Sequence, residues 1–125
     1  MYKMSRNVNY FETYKYWDVV LNECKGYLKR LSPNTVIRKD MSSGNILLQL
    51  HGYSIVEQTS NNNFILQDAG WQTHTTKKRL NQFSPATIYQ KNFIWIVSDP
   101  INGDTSFDEG VVVNMRGEVI RKVTR

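Results

Sequence analysis

The residues best suited to chemistry form one run, residues 71–79, in which hydroxyl groups precede a cluster of cations. The candidate nucleic-acid-binding residues in it are Trp71, Thr75, Thr76, Lys77, Lys78 and Arg79. If a helix begins at Thr75 or Thr76, three cations occupy its first turn, where the positive end of the helix dipole favours anions. A bound phosphate would relieve this conflict by accepting backbone N–H bonds and by pairing with the cations. The run therefore predicts a site for nucleic acid backbone phosphates.

Each part of this run also has a purely structural interpretation. The three cations can extend into water at a small cost in stability. Trp71 follows a glycine, and its ring can stack on a base or close the end of a hydrophobic core. The sequence leaves these alternatives open.

Residues for covalent or metal chemistry are sparse. Cys24 falls on the apolar side of a predicted helix, which favours a buried structural thiol over a nucleophile. His51 and His74 are the candidate bases, and we interpret each as an ordinary hydrogen-bonded histidine. One cysteine and two histidines do not supply the ligands of a zinc site. We therefore predict a protein that is not an enzyme and that takes no cofactor or metal.

Two further motifs point away from metal and nucleotide-loop chemistry. Residues 99–110 are acidic and polar, but their carboxylates do not follow the alternating spacing of an EF-hand loop, so we predict a solvated loop. The glycine patterns of phosphate-binding loops, G-x-x-x-x-G-K-[ST] and G-x-G-x-x-G, do not occur in the sequence.

The first element that must position these residues is a helix. Apolar residues recur at steps of three and four over residues 9–31, which predicts a long amphipathic N-terminal helix. Ser32-Pro33 ends it, because proline disfavours helical geometry in the residue before it. We expect four residues of its apolar stripe to be buried against a sheet: Trp17, Leu21, Cys24 and Leu28.

After this helix the apolar residues alternate with a period of two, which indicates strands. The predicted strands cover 35–39, 46–51, 53–58, 64–67 and 87–98, with a final hairpin over 111–123. A short helix is predicted near 75–83. The chain, 1–125, is thus predicted to be a single α+β domain. In it the long helix over 9–31 packs on an antiparallel sheet of five to seven short strands, and 34–123 are mainly β with the short helix inserted.

Charge and hydropathy limit the partners. Sixteen Lys and Arg against eleven Asp and Glu give a formal net charge of +5, which favours phosphate-bearing partners. The longest apolar stretches are far shorter than a membrane span, so we expect no membrane partner. The single cysteine fits a reducing compartment, which predicts a cytoplasmic location.

A pattern in the middle of the chain resembles a known group of proteins. It comprises Leu50-His51-Gly52, Ala69-Gly70-Trp71, Thr73, Thr75-Thr76-Lys77 and Arg79-Leu80-Asn81, followed by Gln90-Lys91 and an aromatic strand over 93–97. Over residues 34–113 the chain is similar to small uncharacterised proteins of tailed bacteriophages and mobile elements. The resemblance supplies no activity and no site residues. It implies an accessory protein that acts in the host cytoplasm.

Two functions follow as hypotheses. In the first, the helix start and Trp71 contact a nucleic-acid backbone. In the second, the protein is an interaction module that binds or inhibits a host protein through exposed aromatic anchors such as Tyr2, Tyr16 and Tyr27. The sequence does not predict the oligomeric state.

Overall fold

A computed structural model of the chain describes residues 10–108 and 110–123. These residues form two α-helices, one 3-10 turn and ten strands in two antiparallel sheets. Within these ranges no helix is long and apolar enough to span a bilayer. Strands hold more of the described residues than helices do, and the predicted long N-terminal helix is absent from that part of the chain.

The first helix, α1, is short and spans Tyr14–Asn22. It begins because Thr13 is an N-cap whose hydroxyl accepts the backbone N–H of Tyr16 at 3.2 Å. Trp17 and Leu21 are four residues apart, so they share the face that is buried. The helix contacts two neighbouring strands of the larger sheet, Thr35–Lys39 and Ile46–Leu50.

The predicted helix over 9–31 is therefore wrong in its length. Gly26 has a φ of +70°, in the left-handed region that stops a right-handed helix and that glycine enters without a Cβ clash. After α1 the chain makes the 3-10 turn Lys25–Tyr27 and continues as a strand, Leu28–Ser32. The helix thus ends at Asn22, and residues 28–31 of the predicted helix belong to a strand instead.

The change from helix to strand also alters which apolar side chains are buried. Leu28 and Leu31 are three residues apart, so in a strand they lie on opposite faces. Leu31 is buried, whereas Leu28 is 40% exposed. Of the four residues expected in the core, Trp17 and Leu21 are buried, Cys24 is half-buried and Leu28 is exposed.

The ten strands alternate with short turns. They are β1 Leu28–Ser32, β2 Thr35–Lys39, β3 Ile46–Leu50, β4 Tyr53–Gln58, β5 Phe64–Leu66, β6 Thr87–Lys91, β7 Ile94–Ser98, β8 Thr105–Ser106, β9 Val111–Val113 and β10 Val119–Lys122. The larger sheet has the spatial order β1-β2-β3-β4-β5-β9-β10, and the smaller one the order β6-β7-β8. The predicted strands over 35–39 and 53–58 are confirmed, and the strand predicted over 46–51 ends one residue earlier, at Leu50. The prediction of one sheet with at most seven strands is wrong, because residues 87–106 pair with one another instead.

The second helix, α2, spans His74–Gln82 and connects the two sheets. It confirms the short helix predicted near 75–83, with a start one residue earlier. Its Leu80 is fully buried, in one hydrophobic cluster with Phe64 of the larger sheet and Val97 of the smaller one. The start of α2 is thereby held at a fixed place beside the larger sheet.

Candidate functional site

A cavity of about 290 Å³ lies at the start of α2. It is enclosed by the turn between β3 and β4 on one side, and by the connection from β5 to α2 on the other. Leu50 and Ile55 supply apolar lining, and both are buried. Two aromatic side chains that line the cavity are exposed, Tyr53 to 56% and Trp71 to 59%. Neither ring contacts another aromatic ring in the described part of the chain.

The turn between β3 and β4 presents His51 and Tyr53 to the cavity. His51 and Gly52 have φ values of +52° and +84°, as a two-residue hairpin turn requires. The His51 N–H donates to the carbonyl oxygen of Asn34 at 2.9 Å, which ties this turn to the one between β1 and β2. His51 is a non-glycine residue in the left-handed region, a conformation often found at functional sites.

The opposite wall is built around Asp68, a buried carboxylate that is only 6% exposed. Its Oδ1 accepts the Gly70 N–H at 2.8 Å, and its Oδ2 accepts the Gln72 Nε2 at 3.1 Å. Its carbonyl oxygen accepts the Trp71 N–H at 2.9 Å. These bonds fold the connection into a tight turn, which directs the chain so that Trp71 remains at the surface.

The first turn of α2 forms the polar end of the cavity. Thr73 is the N-cap, and its hydroxyl oxygen accepts the Thr76 N–H at 3.2 Å and lies 3.0 Å from the Thr76 hydroxyl. Thr75 also lines the cavity. The first turn carries no acidic residue, and the N–H groups of His74 and Thr75 have no acceptor within the helix. The helix start therefore contributes a partial positive charge to the cavity lining.

The basic run follows this turn. Because α2 begins at His74, Lys77, Lys78 and Arg79 are its fourth to sixth residues. The prediction that these cations occupy the first turn is therefore wrong, and the conflict with the helix dipole is smaller than the sequence suggested. Lys77 and Lys78 are half-buried, and in the described part of the chain neither pairs with a carboxylate.

Arg79 differs from the two lysines, because its guanidinium is engaged inside the fold. Its Nε donates to the Thr35 Oγ1 at 2.9 Å, and its Nη1 donates to the Gln82 Oε1 at 2.8 Å. Burial lowers the pKa of Arg79 from its usual value. The side chain thus connects α2 to strand β2.

The structure brings part of the predicted site together. Trp71, Thr75 and Thr76 line the cavity, and Lys77 and Lys78 follow on the same helix, whereas Arg79 turns inward. Sequence reasoning did not place three lining residues in the site: His51, Tyr53 and Asp68. The pattern that resembled phage proteins included two segments of the cavity wall, Leu50-His51-Gly52 and Ala69-Gly70-Trp71. Its first segment was the one sequence feature that could have pointed to His51.

Other candidates from the sequence have structural surroundings. Cys24 is half-buried, and its Sγ donates to the Val20 carbonyl oxygen at 3.3 Å. Asp99, expected in a solvated loop, is 4% exposed and fully hydrogen-bonded. Within residues 10–108 and 110–123, no three His, Cys, Asp or Glu side chains come together as a metal-binding group.

Comparison with known proteins identifies a matching family. The model of a protein family described as Kyanoviridae Gp96 protein matches residues 19–114, from within α1 to the end of β9. No curated protein and no solved structure matches the chain. The match supports the resemblance to small phage proteins and extends it into α1, although it does not test the residue pattern on which that resemblance was based.

Proposed function

The chain belongs to the Kyanoviridae Gp96 family of phage proteins, and we propose that it binds single-stranded nucleic acid in the cytoplasm of the host cell. The observation that carries this proposal is the cavity at the start of α2. There, two exposed and unpaired aromatic rings lie beside a helix start whose following cations are not neutralised.

Trp71 and Tyr53 are the groups that would hold a base. Aromatic side chains stack on unpaired bases and contribute about 1–3 kcal/mol per base, with little dependence on sequence. The volume of about 290 Å³ is at the lower end of the range for small-molecule sites, so it suits one base better than a long ligand. A base inside a duplex could not enter this cavity, so the expected ligand is a single strand.

The start of α2 and the two lysines would hold the phosphates. The free N–H groups of His74 and Thr75 favour an anion at this end of the cavity. Lys78 lies one helical turn after Thr75, and helical side chains lean towards the N-terminus, so its ammonium group could reach a phosphate bound at the cavity end. Arg79 and Thr76 are already engaged, so the proposed phosphate contacts involve Thr75, Lys77 and Lys78.

A salt-dependent titration tests this function. Fluorescently labelled single- and double-stranded oligonucleotides are titrated at two salt concentrations. We expect the single strands to bind more tightly, with an affinity that falls as salt rises. The double variant Lys77→Glu with Lys78→Glu should weaken binding at least tenfold and reduce the salt slope by roughly 1–2. Trp71→Ala should weaken it roughly 5- to 100-fold.

The control is a variant with the same change in charge elsewhere. Lys15→Glu with Lys25→Glu alters two exposed cations outside the cavity lining. If this control weakens binding as much as the Lys77 and Lys78 variant, the protein attracts nucleic acid only through its net charge. Absent or salt-insensitive binding of every oligonucleotide would disprove the proposed function.

Exposed apolar side chains near the N-terminus favour a second candidate, an interaction with a host protein. Tyr16 is 48% exposed and Tyr27 is 39% exposed, and Val19 and Leu28 are exposed as well. Tyr2, the third aromatic anchor proposed from the sequence, lies outside the described residues. Capture of one stoichiometric partner from nuclease-treated lysate, lost in Tyr16→Ala with Tyr27→Ala but kept in Trp71→Ala, would support this candidate over nucleic-acid binding.

A further inference from the structure

We infer that the cavity selects guanine over the other bases, through the carboxylate of Asp68. This inference rests on the proposed function and adds a base preference to it.

Asp68 retains hydrogen-bonding capacity. A carboxylate offers about four lone-pair sites and no donor. Two of them accept the Gly70 N–H and the Gln72 amide. The residue is almost completely buried and belongs to the cavity lining, so a molecule inside the cavity would be the partner for its remaining acceptors. Gln72 is exposed, so its amide can leave Oδ2 and be solvated when a ligand arrives.

Guanine is the base whose donors match this carboxylate. Its N1–H and its 2-amino group are adjacent donors on one edge, so the two oxygens of a carboxylate can accept both. Adenine and cytosine place an acceptor nitrogen beside the amino group, and uracil and thymine flank their one N–H with carbonyl oxygens. In each of those bases, an acceptor would face a negatively charged oxygen without a proton between them, which is unfavourable.

The rest of the cavity fits a guanine nucleotide held in this way. Trp71 and Tyr53 provide faces for the purine ring, while Asp68 lies in the wall between β5 and α2. The start of α2, with its free N–H groups, belongs to the same lining, and a phosphate would sit there. The negative and positive groups of the site are thus assigned to different ends of one ligand.

A competition experiment tests the inference. Oligonucleotides of otherwise identical sequence carry guanine, hypoxanthine, adenine, cytosine or uracil at one central position, and free guanosine monophosphate provides a separate arm. We expect guanine to bind roughly 5- to 100-fold more tightly than adenine, the discrimination typical of a two-bond base contact. Hypoxanthine, which lacks the 2-amino group, should be intermediate. If free guanosine monophosphate competes with the oligonucleotide, the cavity binds a single nucleotide; if it does not, binding needs the rest of the strand.

Two variants locate the preference. Asp68→Asn keeps an oxygen for the Gly70 N–H but replaces one acceptor with a donor, so it should abolish the guanine preference while leaving salt-dependent binding. Gln72→Ala removes the competing amide and should keep or increase the preference. Equal binding of all bases by the native protein, or a guanine preference that survives in a folded Asp68→Asn protein, would overturn the inference but not the proposed function. If no oligonucleotide binds, both are overturned.

Discussion

Two buried aspartates of this protein, Asp68 and Asp99, differ in how their carboxylates are satisfied. Each is less than one-tenth exposed. The Oδ1 of Asp99 accepts the N–H groups of Ile101 at 2.8 Å and Asn102 at 3.0 Å. Its Oδ2 accepts the Val119 N–H at 2.9 Å and the Asn102 Nδ2 at 3.0 Å. Four donors therefore fill the acceptors of Asp99, whereas two donors bind Asp68.

This difference separates a structural carboxylate from one that can take a ligand. Asp99 connects the loop after β7 to the start of β10, and backbone amides supply most of its donors. A depression of about 380 Å³ lies beside it, larger than the cavity beside Asp68. Its lining has no aromatic side chain. Unused acceptors and aromatic walls, rather than volume, identify the candidate site.

The largest effect in this comparison should follow removal of the Asp99 carboxylate. Asp99→Ala leaves three backbone N–H groups without their acceptor and releases the loop from β10, so we expect the melting temperature to fall by roughly 5–10 °C. Asp68→Ala removes one backbone acceptor and should lower it by about half as much. Thermal denaturation of the two variants provides the measurement. Equal losses would contradict the assignment of Asp99 as the structural carboxylate.

The next effect is a dependence of stability on pH. The backbone N–H of Asn102, followed by those of Ile101 and Val119, holds the pKa of Asp99 well below its ordinary value of 3.8. Because this pKa is lower in the folded state, the stabilisation is fully present above the unfolded pKa and is lost as pH falls below it. We expect the melting temperature to decline below about pH 4. Asp99→Asn, which does not titrate, should show a shallower decline.

A smaller loss of stability should follow a change at Arg79. Arg79→Met keeps most of the aliphatic stem but removes the donors to Thr35 and Gln82, so we expect a cost of about 1–2 kcal/mol. Lys78→Met is the matched control on the same helix, and it should change stability by less than about 0.5 kcal/mol. Chemical denaturation of both variants measures the difference. If Arg79→Met leaves the free energy of unfolding unchanged, the hydrogen bonds of Arg79 do not stabilise the fold, and Arg79 would count as a free cation like the two lysines.

The sequence predicted local elements better than the way they are joined. Alternating apolar residues were sufficient for β2, β3 and β4, because each pairs with its neighbour through a short turn. The long helix failed because residues spaced by three and four also fit α1, a turn and a strand in succession. The pairing of β1 with β2 decides between one long helix and this succession of elements, and that pairing is not visible in the local sequence. Gly26 was the single local sign of a break.

The candidate site shows the same division. Trp71 and the residues that follow it were found because they are adjacent in sequence. Tyr53 and His51 reach the cavity from another hairpin, so local patterns could not place them there. The role of Arg79 depends on Thr35, which is 44 residues away along the chain. Sequence spacing thus identified one wall of the cavity, while tertiary packing supplied the other.

The smallest expected effect sharpens the distinction between binding and stability at α2. Lys77→Glu with Lys78→Glu removes two cations that, within the described residues, form no ion pair, so no salt bridge is broken. The new carboxylates lie closer to the N-terminal, positive end of the α2 dipole than to its C-terminal end, which slightly favours them. We therefore expect stability to remain within about 0.5 kcal/mol of the native protein or to rise slightly, while affinity for single strands falls. Thermal denaturation and oligonucleotide titration of this one variant measure the two quantities together. Loss of stability with unchanged affinity would mean that the lysines support the fold, and the phosphate contacts would have to lie elsewhere.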